Sequence, residues 1–545
     1  MGRRKKTSVV RSVPIDENGA VDYAQAARDV IDNRIVDDTK YGYGKKVETM
    51  KRWFAEEYPE ERAEIFILDN GPTSEFQLPM SIPKILNFFG YMGTKFERFA
   101  LIEEVTEDMQ APVSEQGRKK KGGKSEKRRE AYSVSYVRGF KSALLWYHEQ
   151  RSLILGQKIE LQPDCNAALE KFLQGYQRKI QSLKAAGLKE LHEGKNRLLF
   201  VGFGILAYAL MLIAPTITIK ESTSGKKGGG RKMHPHREGN WMQGIFAWCF
   251  FTLAWVMMCR SVTTAEILLS SMRWIDDCIC IDVAKEKSDQ VGERQFPRHI
   301  YANPINPRIC PILALAVYIF CIYIGNLADT NQPLFPGDFQ EDRFSKVLQC
   351  ALENLPEHLL NLLGGDAADI GTHSTRKGAA SYVLSHVGGP NVIQVFLRCC
   401  WSLGNVQNRY IFLDAGGDQF VGRTVGGLTM TDSSFATLPP RLRPEDHAEI
   451  CKMGWELVLP GFDRLCASFQ TIVPYLFASI TYHADFLASE LSPQHPIFQT
   501  TVFTSGLVDK FKGRILVGEG KCNLTGLLFS CVSVNFNGHG RGNSE

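Results

Sequence analysis

The chain has 545 residues, 44% hydrophobic and 23% charged, and its 64 basic and 59 acidic side chains leave a formal net charge of only +5. Length and apolar content exclude a disordered or fibrous protein and allow several domains, each large enough to bury a core. On the scale of the whole chain the charge argues against a nucleic-acid binder, but its location says more than its sum: residues 118–129 carry +7, Arg3, Arg4, Lys5 and Lys6 carry +4, residues 226–237 carry +5, and the remainder is −11.

Fourteen cysteines form no CxxC pair and follow no regular spacing, which points away from a disulfide framework and towards a reducing compartment. Residues 1–30 read as a basic tail; MGRRKKTSVV is followed by no apolar stretch, so no secretory signal is expected. From 31 to 193 apolar residues fall at helical spacing, with Val47, Met50, Trp53 and Phe54 in one stretch and Val137, Phe140, Leu144, Leu145 and Tyr147 in another. The region reads as a helical bundle interrupted by residues 111–131, a solvated basic loop rich in Gly, Lys, Ser and Arg. Within that loop GRKKKGGKS resembles a phosphate-binding loop, but GxxxxGKS needs glycine where the chain has Arg118, and no apolar strand precedes it. No nucleotide is expected there, and nuclear targeting and DNA-backbone contact stay open as its two readings.

The polar stretch 189–197 is suited to a linker. Two apolar runs follow, LLFVGFGILAYALMLIA at 198–214 and MQGIFAWCFFTLAWVMMC at 242–259, each about as long as the roughly 18 residues of a membrane span. Buried helices are the better reading, because Arg260 and a polar segment follow the second run at once, and no membrane partner is expected. Residues 278–283 and 298–301 are β-branched and alternating, on either side of a polar connection at 285–294, and read as a β-hairpin with a lysine-bearing turn. Helices resume at about 312–326 and 342–355, separated by turn-rich residues 331–338. The fold class expected is mostly α with a small β-hairpin or sheet (α+β).

The most informative segment is 370–410, IGTHSTRKGAASYVLSHVGGPNVIQVFLRCCWSLGNVQNRY. Thr372 is suited to cap a helix that carries His373 and Arg376 on one face of its first turns, where the helix dipole favours an anion. Trp401 and Tyr410 follow, nine residues apart, with Arg409 beside the tyrosine.

The HSTR box followed by Trp and Tyr, an upstream arginine in CRSVTTAEI and a hairpin lysine resemble the tyrosine recombinase (phage integrase-type) family. The surrounding text, AKEKSDQVGE, PRHIYANP, CPILALAVY, LFPG and WSLGNVQNRYIFLDAGGDQFVGR, is similar in character to the recombinases of eukaryotic mobile elements. Over residues 30–430 the resemblance implies a catalytic set of Arg260, Lys287, His373, Arg376, Trp401 and Tyr410, with Lys285 as the alternative lysine because the register of the hairpin is open. It also implies a helical core-binding (SAM-like) domain at 31–193 and a catalytic domain at 194–430 that together clamp DNA. Residues 431–545 form a C-terminal extension without an assigned role, open as a segment that docks protomers in trans or as the frayed end of a decaying element.

The chemistry of that family explains the residue types. A phenol attacking a phosphodiester builds negative charge on the nonbridging oxygens, which two permanently charged guanidiniums can hold in bidentate fashion. Lys287 would protonate the leaving 5′-hydroxyl and His373 would help remove the tyrosine proton. Tyr410, with an ordinary phenol pKa near 10, becomes competent only in such a positive site. The 3′-phosphotyrosyl link conserves the bond energy, so no cofactor, metal or ATP is expected. The partners implied are double-stranded DNA and further copies of the chain, as a dimer or tetramer, in the nucleus or another DNA-containing compartment. Arg118, Lys119, Lys120, Lys121, Lys226, Lys227, Arg231 and Lys232 are candidates for DNA-backbone contacts. A catalytically retired, mobile-element-derived DNA-binding protein is the alternative, against which the intact set argues.

Overall fold

The computed structural model describes residues 22–32, 34–67, 74–98, 130–190, 194–213, 240–283, 297–323, 332–401, 417–431 and 433–518. It divides into two units, Met1–Glu193 and Gly194–Glu545, and is mostly helical with small antiparallel sheets.

In the first unit the helices are α1 (Tyr23–Asp32), α2 (Asp37–Glu57), α3 (Arg62–Ile65), α4 (Ile82–Gly93), α5 (Val134–Leu155) and α6 (Pro163–Ala185), with a two-stranded ladder β1 (Phe66–Ile67) and β2 (Glu75–Phe76). Local signals set the ends of α5: Ser133 Oγ accepts the Tyr136 N–H at 3.1 Å, and Gly156 closes the helix in the left-handed region at φ +63°. The spacing read from the sequence buries Val47, Met50, Trp53 and Phe54, and Val137, Phe140, Leu144 and Tyr147, in one aromatic-rich core. Leu145 departs from the expectation and is 40% exposed. One residue on from Leu144 it is turned about 100° around the helix, away from the stripe.

In the second unit, α7 (Phe200–Met211) and α8 (Asn240–Met257) carry the two apolar runs, α9 (Ser261–Ala265) follows Arg260, and strands β3 (Met272–Ile275), β4 (Cys278–Ile281) and β5 (Arg298–Ile300) form one antiparallel sheet in the order β3-β4-β5. The expected hairpin is the β4–β5 pair, with Cys280 opposite His299. Strand β3 was not expected; it pairs with β4 across a tight turn at Asp276-Asp277, with Asp276 at φ +49°. Helices α10 (Pro311–Cys321), α11 (Gln340–Asn354), α12 (Glu357–Leu360), α13 (Thr372–Leu384), α14 (Val392–Arg398) and α15 (Asp418–Val425) complete the region. Helices α8 and α10 are buried nearly all round, as their uniformly apolar sequences require, and no helix among the described residues is long and apolar enough to cross a membrane.

Residues 433–518 are not a separate appendage. Helices α16 (Pro444–Met453), α17 (Ala467–Gln470), α18 (Val473–Tyr482), α19 (Ala484–Glu490), α20 (Thr501–Thr504) and α21 (Leu507–Phe511) share the hydrophobic core of residues 198–425. Phe469, Leu476, Phe477, Ile480 and Phe511 are fully enclosed, and α18 packs on α10. Tyr475 stacks on Trp274 of β3 with ring centroids 3.6 Å apart, and Glu490 pairs with Arg308 at 3.2 Å while accepting the Tyr208 hydroxyl. The boundary expected at 430 is therefore absent from the packing. Burying aromatic and leucine side chains at about 1.5–3 kcal/mol each makes this segment part of what keeps the unit folded.

Candidate active site

Met258 leaves α8 in the left-handed region at φ +53°, which turns the chain out so that Arg260 becomes the N-cap of α9 with extended backbone. Arg260 is half-buried and its carbonyl accepts the Thr264 N–H at 3.0 Å. A non-glycine residue at positive φ is uncommon, and such residues gather at functional sites. A second one, Cys400 at φ +50°, immediately precedes Trp401.

The helix of the HSTR box begins at Thr372, but the cap is Gly371 and not Thr372: the Ser374 hydroxyl accepts the Gly371 N–H at 3.0 Å. His373 lies in the first turn and is exposed, whereas Arg376, one turn on, is 7% exposed. The Arg376 guanidinium donates to the Cys399 carbonyl and lies 5.7 Å from the centre of the Trp401 ring. Trp401 is half-buried and packs edge-on against Phe396 at 5.0 Å. The fold thus brings together two of the expected residues, Arg376 and Trp401, and sets α8, which leads to Arg260, against the helix α13 that carries His373 and Arg376. Gly378 makes that approach possible, since a Cβ there would sit 2.0 Å from the Leu198 carbonyl oxygen and 3.0 Å from the Trp255 ring.

Lys287, its alternative Lys285 and Tyr410 lie outside the described residues, as do Arg118, Lys119, Lys120, Lys121, Lys226, Lys227, Arg231 and Lys232. Among the described residues no group of three or more His, Cys, Asp or Glu side chains is gathered to hold a metal ion, and the described cysteines are free thiols. Burial pushes the Cys280 thiol in β4 up to about 11, which keeps it protonated and inert.

Sequence reading missed a buried charged frame behind these residues. Arg398, at the end of α14, donates from Nε (3.1 Å) and Nη2 (2.7 Å) to the Val256 carbonyl in the last turn of α8, and also from Nη2 to the His299 carbonyl at 3.0 Å. Its Nη1 lies 2.6 Å from the Asp418 carboxylate. Asp418 also accepts the His299 backbone N–H at 2.8 Å and its ring Nδ1–H at 2.9 Å, which fixes the imidazole tautomer. Burial alone would raise the Asp418 carboxyl, but the Arg398 guanidinium and the His299 hydrogen bond outweigh it and hold it well below the usual carboxylate range. Arg298 donates to the Cys400 sulfur at 2.9 Å. Arg423, on α15, pairs with Asp277 of the β3–β4 turn and donates to the Phe435 carbonyl at 2.8 Å. The available sequence signal was PRHI, where an arginine and a histidine interrupt an apolar strand.

The chain matches no protein-family model, and no curated protein matches it.

Proposed function

We propose that the chain is a site-specific DNA recombinase or integrase that breaks and rejoins DNA through a 3′-phosphotyrosyl intermediate. The observation that supports this most is the lodging of Arg376 against the Cys399 carbonyl and over Trp401, on a helix packed against the one that leads to Arg260. Two arginines and a tryptophan are among the residue types that the family's chemistry uses. In this reading Arg260 and Arg376 hold the nonbridging oxygens of the scissile phosphate. The Tyr410 hydroxyl loses its proton, with help from His373, and attacks phosphorus. The P–O5′ bond breaks, and Lys287 or Lys285 gives its proton to the departing 5′-oxygen. Attack by a 5′-hydroxyl on the phosphotyrosine reverses the step and rejoins the strand. Residues 31–193 act as the core-binding domain and copies of the chain assemble on the duplex, in a nucleus or other DNA-containing compartment. The basic stretches add salt-sensitive affinity for the backbone.

The test uses nicked duplexes cut from the DNA flanking the gene for this chain, incubated with full-length protein and resolved in denaturant. The reading expects a protein–DNA adduct from wild type and none from Tyr410→Phe, with both proteins binding the duplex equally. Binding without an adduct from either would overturn it in favour of the retired, DNA-binding alternative.

A further inference from the structure

We propose that the Arg398–Asp418 pair, steadied by His299, is a positioning device that sets the spacing of the two phosphate-holding arginines, Arg260 and Arg376; the inference rests on the recombinase reading. Arg398 is 1% exposed, and its fork grips three backbone carbonyls from three elements: Val256 in α8, His299 in β5 and Asp418 in α15. Val256 lies four residues before Arg260, just ahead of the left-handed turn at Met258 from which Arg260 emerges. The next residue after Arg398 is Cys399, whose carbonyl holds the Arg376 guanidinium. One buried side chain therefore fixes the exit of the Arg260 turn, and its own backbone leads directly to the anchor of Arg376. Asp418 holds that side chain in place by charge, and two hydrogen bonds from His299 orient the carboxylate.

Stability alone does not call for such an arrangement. Apolar residues of similar volume often replace a buried ion pair at no loss, because removing two charges from water is costly. What apolar packing lacks is direction: a planar guanidinium presents its donors in a rigid fork, so the carbonyls it binds are held at set angles to one another. Catalysis needs that direction, since a displacement of about 1 Å in a reacting array is enough to cost about 10²-fold in rate. None of Arg398, Asp418 or His299 needs to touch DNA for this role.

The experiment compares wild type and Asp418→Asn on the same nicked duplexes, reading melting temperature, duplex Kd, the single-turnover rate constant of adduct formation at saturating DNA, and the adduct endpoint. The inference expects a rate constant lowered about 10- to 100-fold, with Kd and endpoint unchanged. A lower endpoint at the wild-type rate constant would mean only that fewer molecules are folded, and would overturn it. Where Asp418→Asn melts out, the double variant Arg398→Met with Asp418→Leu removes both charges together, and the same rate loss in a folded protein is expected; a wild-type rate constant there sinks the inference. No adduct from wild type removes the recombinase reading itself, and that result is distinct from either of the others.

Discussion

Lys51 and Lys141 in the first unit are buried, yet each pairs with a glutamate that reaches solvent, Glu48 and Glu170. In the second unit Arg298, Arg398 and Arg423 lie wholly inside, and Arg398 and Arg423 meet carboxylates that are equally enclosed. In the first arrangement one member of each pair is open to water, which screens the attraction and keeps its worth small. The second keeps charge in a low-dielectric interior, where it is tolerated only with complete pairing and where it dictates geometry. The contrast separates a unit whose ion pairs reach solvent from one that also holds paired charge wholly inside its core.

The largest effect expected from this contrast comes from breaking the deeper pair. Asp277→Ala leaves the Arg423 guanidinium without its buried carboxylate and should destabilise the second unit by about 3–5 kcal/mol, measured as a shift of its urea transition. A loss below about 1 kcal/mol would show that the pair behaves like a surface bridge.

A smaller effect depends on pH. His483 is 4% exposed at the end of α18, its Nε2 has no hydrogen-bond partner among the described residues, and burial pushes its pKa down from 6.5 to about 4. The folded state therefore binds the proton less readily than the unfolded chain. The contribution to stability is complete above about pH 6.5 and is lost as pH falls towards 4, with an upper bound of about 3 kcal/mol. His483→Phe should flatten that slope in urea titrations between pH 7 and 4.5. An unchanged slope would assign the acid sensitivity to other groups.

The smallest effect belongs to the first unit. Lys141→Met keeps most of the packing and leaves Glu170 solvated, so urea unfolding of that unit should change by less than about 1 kcal/mol. A loss as large as that of Asp277→Ala would erase the distinction between the units.

Much of this architecture could be read from local pattern. The spacing of Val47, Met50, Trp53 and Phe54 is that of a buried helix face, and those residues are buried. Alternation at Cys278–Ile281 and Arg298–Ile300 is that of paired strands, and they pair. Strand β3 escaped because Met-Arg-Trp-Ile does not alternate clearly, although Asp276-Asp277 behind it is turn chemistry. The joining of residues 433–518 to the second core has no local signature, since contacts such as Trp274 with Tyr475 link positions far apart in sequence. The same holds for the site. The three-residue spacing of His373 and Arg376 is that of one helix, and both lie on the helix that begins at Thr372, whereas the approach of Arg376 to Trp401 has no local signature. Arg398 and Asp418 carry no local signal of burial, and their partners Val256 and His299 lie 142 and 119 residues away.

The most direct test of the account is to identify the residue that carries DNA. An adduct formed on nicked duplex, digested with protease and nuclease, should yield one nucleotide-bearing peptide, with the phosphate on the tyrosine of the sequence VQNRYIF, Tyr410. A phosphate on any other residue, or no adduct from protein that binds the duplex, would contradict it.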